Sequence, residues 1–232
     1  MRLHVKNEIS FPQSTIKFLT ALSKNNNKEW FEKNRMRYDF ELLQPAMQFV
    51  IDLGEKLLDL SPNINAIPKI DKSIFRLYRD VRFSKNKTPF KTNLGLYFWE
   101  GRGKKMECSG FYFHIEPKLF FLGAGIYMFT KDLLKKYREI VSDPSRGKQL
   151  NDILAKLLKN KKFNLGGKTY KKTPRGFNPE YKYCKLLLHS GLYVSYESNG
   201  FNELTTKDPV AFSHKTFKEM YPLHNWFVEN LV

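Results

Sequence analysis

Between residues 72 and 129 the chain alternates apolar and polar positions with a period of two, in four successive stretches. One set reads Phe75, Leu77, Val81, Phe83; Leu94, Leu96, Phe98; Phe111, Phe113, Ile115; and Phe120, Leu122, Ala124, Ile126. The set between reads Arg76, Tyr78, Asp80, Arg82; Asn93, Gly95, Tyr97, Trp99; Tyr112, His114, Glu116; and Gly123, Gly125, Tyr127. Alternation of this kind marks half-buried strands. Four in a row with the same split predict an antiparallel sheet. Its apolar face packs under helices, and its Arg/Tyr/His face opens to a cleft.

Around this block the apolar spacing turns helical. Phe11-Pro12 with Ile16, Leu19 and Leu22 predicts a short helix, which Asn25-Asn26-Asn27 ends. Ala46, Val50, Leu53, Leu57 and Leu60 form one helical stripe, with Pro45 at a kink or a fresh first turn. The chain divides into a helical part (11–60), a β-rich part (72–129), two helices and a basic loop (131–183), and a last strand with a final helix (191–231). No repeat or long linker separates these parts, so a single α+β domain over residues 1–232 is expected.

Charge adds a partner class. The net charge is +17 and it is clustered. Residues 69–91 hold 8 basic and 2 acidic side chains, and residues 131–175 hold 14 and 4. Such clustering steers anionic partners, a small molecule or a nucleic acid; the bland reading is a solvated basic surface. Only two cysteines are present, far apart, which fits a reducing compartment and a cytoplasmic placement. The first residues have no signal-peptide core. The apolar run 119–129 is broken by glycines and too short for a bilayer, so no membrane association is expected.

Candidate chemistry gathers on the polar set. Arginine is rare on strands unless it meets an anion or a carboxylate. Arg76, Arg82, Lys87 and Lys91 are the candidate anion holders, with Arg175 from the later basic loop. Tyr78, Tyr97, Trp99 and Tyr112 are candidates to stack on an organic part. His114 with Asp80 or Glu116 offers acid–base chemistry on the same surface. The alternative for both carboxylates is a cross-strand pair with arginine. Arg79 falls on the apolar set and is expected to be structural, tied to Glu29, Glu32 or Asp39. The loop 84–91 lacks the P-loop pattern, and His114-Ile-Glu116 lacks a second ligand at zinc spacing. No metal and no cofactor is therefore implied, and whether the chain is an enzyme stays open.

Asn26-Asn27-Lys28-Glu29-Trp30-Phe31 with Asn34-Arg35, and the stretch 75–84 with Lys87-x-Pro89-Phe90-Lys91, form a recognisable set. Tyr112-x-His114-x-Glu116-Pro117 and Pro174-Arg175-Gly176-Phe177 complete it. The set resembles a widespread family of uncharacterised microbial proteins, a domain of unknown function, over nearly the whole chain. The resemblance implies one domain and carries no activity, cofactor or catalytic residue. The reading is a binding protein for a phosphate-bearing or other anionic ligand. The alternatives are an enzyme using His114 with Asp80 or Glu116, and a non-specific nucleic-acid-binding protein.

Overall fold

The computed structural model describes residues 11–231. The segment read above for a signal-peptide core lies outside them. The architecture is α+β, built on one six-stranded sheet in which every pairing is antiparallel. The strands are β1 (Ile64–Asn65), β2 (Leu94–Glu100), β3 (Gly110–Ile115), β4 (Phe120–Ile126), β5 (Phe163–Lys168) and β6 (His189–Ser198). Their spatial order is β1-β2-β3-β4-β6-β5. The last three of the four expected strands therefore form and pair in sequence. The expected basic loop 163–183 begins instead with an edge strand, β5, where Gly166-Gly167 allows a bulged pairing with β6.

The helices lie where the apolar stripes place them. They are α1 (Gln13–Lys24), α2 (Lys28–Lys33), the single turn α3 (Arg35–Arg37) and α4 (Gln44–Leu57). A π-helical stretch, Tyr38–Leu43, leads into α4 just ahead of Pro45. After the sheet come α5 (Lys131–Ser142), α6 (Pro144–Lys159), the short α7 (Asn202–Thr205) and α8 (Pro209–Leu231). Side-chain caps fix several starts: Asn27 accepts from the Trp30 N–H at 2.8 Å, and Asp143 accepts from the Arg146 N–H at 2.9 Å. Helix α8 lies against β3, β4 and β6 and brings Phe217, Met220, Leu223 and Phe227 into the same core as Phe98, Phe111, Phe113 and Leu122. No described helix is long and apolar enough to cross a membrane.

The first expected strand is not one. Residues 73–75 run along the β2 edge, where the Tyr97 N–H donates to the Ser73 carbonyl at 2.8 Å and the Phe75 N–H to that of Gly95 at 3.0 Å. The chain then leaves the sheet and folds on itself, Arg79 N–H to Pro89 carbonyl at 2.9 Å and Lys91 N–H to Leu77 carbonyl at 2.7 Å. The register also differs from the expected one. Ile74 and Leu77 enter the core, Phe75 crosses to the other face, and Phe83 is 96% exposed. Period-two alternation reports an extended backbone; it does not supply a place in the sheet, and past residue 75 the pairing is the isolated antiparallel bridge of Tyr78 with Phe90.

Candidate functional site: an aromatic and basic sheet face

The registers place the polar-set residues in three rows across the sheet. Gly95, His114, Phe121 and Glu197 lie opposite one another in the first. Tyr97, Tyr112, Gly123, Ser195 and Asn164 form the second, and Trp99, Gly110, Gly125, Tyr193 and Gly166 the third. Two glycines serve as seats for rings. A Cβ on Gly95 would lie 2.5 Å from the Tyr112 hydroxyl and 3.2 Å from the Phe75 ring, and a Cβ on Gly166 would meet the Tyr193 ring. Both tyrosines thus lean along the sheet rather than away from it.

Half of this face is closed. Tyr97 and Trp99 are only 7% and 8% exposed, packed with Cys108, Ile67, Phe75 and Tyr112. Of the segment expected to be a strand, Phe75 packs on them together with Ile67 and Cys108, so the open cleft expected across the whole face is not formed at β2. Neither ring offers the stacking surface proposed for it above. The aromatic groups that remain accessible are Tyr112, Phe121 and Tyr193, half-buried, and Tyr127, exposed.

At the boundary between the closed and open parts stands Phe75. Its ring meets Tyr112 edge-on at 5.9 Å. The Lys105 ammonium lies 4.3 Å from its centroid and that of Lys91 5.9 Å. Lys105 is steered there by donating to the Asp71 and Lys72 carbonyls at 3.0 and 2.7 Å. Burial holds both ammonium pKa values below their ordinary range. The Arg76 guanidinium depresses Lys91 further, and Lys72 and Lys91 depress Lys105, while Asp71 pulls each back up. Arg76, Lys91 and Lys105 therefore form a cluster of mutually repelling cations beside an aromatic surface.

His114 stacks on Phe121, centroids 4.5 Å apart and planes 19° apart. Its Nδ1 lies 3.2 Å from the Tyr112 hydroxyl and 3.5 Å from the Asn93 amide nitrogen. Its Nε2 lies 3.5 Å from Glu116 Oε2. Burial lowers the imidazole pKa, and Glu116 opposes that effect. Arg76, Lys91, Tyr112, His114 and Glu116 are thus brought to β2, β3 and their edge.

The remaining expected site residues lie elsewhere. Tyr78 packs on Phe90 and Phe31 at 4.8 and 5.9 Å, toward α2. Asp80 is gripped by Arg82 through both oxygens at 3.0 and 2.7 Å, which holds its pKa down, and both side chains face solvent. This is the carboxylate–arginine alternative, formed within one segment rather than across strands. Lys87 donates to the Val81 carbonyl at 3.0 Å, and Arg175 is exposed in the loop after β5. Arg79 has no carboxylate partner among the described contacts. Its guanidinium donates to Thr88 and, at 3.5 Å, to Ser84, because the folding back of 77–91 brings hydroxyls to it before any helix can. Phe75, Lys105, Phe121 and Tyr193 were missed. The alternation alone places Phe121 on the polar set; nothing local marks Lys105.

A second polar group lies on the core side. His224, fully buried in α8, has Nδ1 3.0 Å from Ser109 Oγ; its Nε2 is 3.0 Å from Ser61 Oγ and 3.2 Å from Glu100 Oε2. The Ser61 hydroxyl also donates to Glu100. Hydrogen bonds from His224 first, then Ser61 and Asn63, keep the Glu100 carboxyl below its ordinary pKa despite burial. A hydrolytic triad needs serine and carboxylate on opposite ring nitrogens. Ser109 on Nδ1 and Glu100 on Nε2 meet that condition, but Ser109 and His224 are fully buried and Ser61 shares Nε2 with the carboxylate, so no substrate reaches the hydroxyl and the group reads as a tie among α8, the start of β3, the end of β2 and the segment after α4. Glu100 also borders an open cavity of about 1310 Å³ lined by Asn63, Asp132, Leu133 and Lys136. Among the described residues no group of three His, Cys, Asp or Glu is placed to hold a metal ion.

Comparison with known proteins adds kinship without an activity. No curated protein and no solved structure matches the chain. The motifs that stitch its amino-terminal helices to the sheet edge and run through β3 fall inside the 14–226 span matched by one family model, so the chain belongs to the family described as conserved hypothetical protein (DUF2461).

Proposed function

We propose that the protein binds a phosphate-bearing ligand at the edge of the open sheet face. The phosphate is held by Arg76, Lys91 and Lys105, and a planar part of the ligand rests on Tyr112 and its neighbours. The observation that carries this reading is the gathering of the Lys91 and Lys105 ammonium groups over the Phe75 ring, with the Arg76 guanidinium near enough to act on Lys91. Like charges held together raise one another's energy, and an anion between them relieves it. Binding has better support than acid–base catalysis by His114. Both imidazole nitrogens already face Tyr112, Asn93 or Glu116, and Asp80 is engaged by Arg82.

Calorimetric titration with pyrophosphate tests the proposal. Wild type binds, and Lys91→Ala/Lys105→Ala weakens binding by at least about tenfold, each charge-assisted contact being worth roughly 1.5–3 kcal/mol. Equal affinity of the folded double variant and wild type would remove the site.

A further inference from the structure

We propose that the phosphate-bearing ligand is a single-stranded nucleic acid laid across the strands; this rests on the reading above and names its substrate class. The aromatic surface does not stop at Tyr112. The Tyr112 ring lies 5.4 Å from Phe121, and farther across the sheet Tyr127 and Tyr193 meet at 5.6 Å, Tyr127 being 66% exposed. Between these groups is Gly123, itself buried, where a Cβ would touch only the Val194 carbonyl, at 3.4 Å, so the position adds no side chain between the two groups of rings. Phe75 and Tyr193 are four strand spacings apart, about 19 Å at ~4.8 Å per strand. A stacked nucleotide advances only about 3.4 Å. A mononucleotide anchored at Phe75 cannot reach Tyr193, whereas an oligomer of about six or seven can.

Charge follows the same line. Arg76, Lys91 and Lys105 stand at one end, and Lys168, Lys171 and Lys172 follow at the far edge strand β5. The acidic groups of this face, Glu116 and Glu197, lie beside the row of Gly95, His114 and Phe121, the row that Phe75 joins through its bond to the Gly95 carbonyl, and leave the rows of Tyr112 and Tyr193 free of carboxylates. Asp71 alone stands among the cations. A strand running along the rows of Tyr112 and Tyr193 thus meets rings below and positive charge at both ends. Exposed rings on a sheet stack unpaired bases, which a duplex keeps hidden.

The test is fluorescence anisotropy with labelled dT12, the dinucleotide pTpT and a 12-base-pair duplex, run beside pyrophosphate calorimetry. The expected order is dT12 tighter than pTpT and tighter than the duplex. Tyr127→Ala/Tyr193→Ala weakens dT12 by roughly 5- to 100-fold, the range for lost base stacking, and leaves pyrophosphate unchanged. Tyr193 leans on Gly166, so the single Tyr127→Ala variant replaces the pair if the pair misfolds. If dT12 binds no tighter than pTpT or the duplex, or the folded Tyr127 variant binds dT12 as wild type does, the inference is overturned while pyrophosphate binding stands. Loss of pyrophosphate binding by wild type overturns both.

Discussion

Asn26 makes two hydrogen bonds to one residue 64 positions away: its amide donates to the Phe90 carbonyl at 2.9 Å and accepts from the Phe90 N–H at 3.1 Å. Phe90 is nearly fully buried and stacks on Phe31 of α2 at 4.2 Å. No other side chain in the segment between α1 and α2 reaches this backbone, so Asn26→Ala leaves a buried donor and a buried acceptor unmatched. Each such group costs about 1–3 kcal/mol, and partial hydration on opening puts the sum at about 2–4 kcal/mol. With a urea m-value of about 2 kcal/mol/M, the midpoint falls by about 1–2 M. Asn26→Asp keeps the acceptor but sets an oxygen against the Phe90 carbonyl, and is expected to lose most of the same stability. Asn25→Ala is the control. It loses one exposed bond to the Ala21 carbonyl and is expected to cost about 0.5 kcal/mol or less. Urea melts followed by tryptophan fluorescence read all three. An Asn26→Ala midpoint within 0.2 M of wild type would refute the reasoning. Lys91 adjoins Phe90, so pyrophosphate affinity of Asn26→Ala is expected to fall as well.

Glu100 has a folded pKa below its ordinary 4.5, so its contribution to stability is present above that value and is lost as pH falls through the folded one. The stability difference between wild type and Glu100→Gln, from urea melts at pH 7 down to pH 3, is expected to shrink with acid; a constant difference would contradict it. The His114 imidazole, followed by NMR, is expected to titrate below 6.5, and lower still in Glu116→Gln, because that carboxylate pulls the value up. A rise in Glu116→Gln would show that the two do not interact. For dT12, three phosphate contacts give a slope of log K against log salt of about −2. Lys91→Ala/Lys105→Ala is expected to flatten it to about −1, and an unchanged slope would place the contacts elsewhere.

The parts of the fold legible in the sequence are those whose periodicity coincides with a real partner. Leu94–Phe98, Phe111–Ile115 and Phe120–Ile126 alternate and pair; the stripe from Ala46 to Leu57 is a helix that buries it. Residues 76–83 alternate as well, but Asp80 and Arg82 are solvated and Phe83 points outward, so the pattern describes an extended excursion. The candidate site was partly legible for the same reason. Tyr112 and His114 follow from strand parity, and Lys91 and Arg76 from charge density. Lys105 depends on the turn after β2 folding back over residues 71–72, which only the tertiary structure decides. The tie among Ser61, Glu100, Ser109 and His224 joins four distant segments, each holding a residue that is ordinary where it stands.

Gly95 and Gly166 give the open face an unusual sort of mutability. The nearest obstacles above each are side-chain atoms of one or two rings, Tyr112 with Phe75 and Tyr193 alone. Each position therefore shares its occupancy with a residue on the adjacent strand. Enlarging the glycine evicts the ring, and shrinking the ring bares the glycine. Single-site libraries on this surface should return mostly the parental residues. Libraries that vary Gly95 with Tyr112, or Gly166 with Tyr193, should recover folded combinations in which bulk has changed strands, and with it the outline of what the surface can hold.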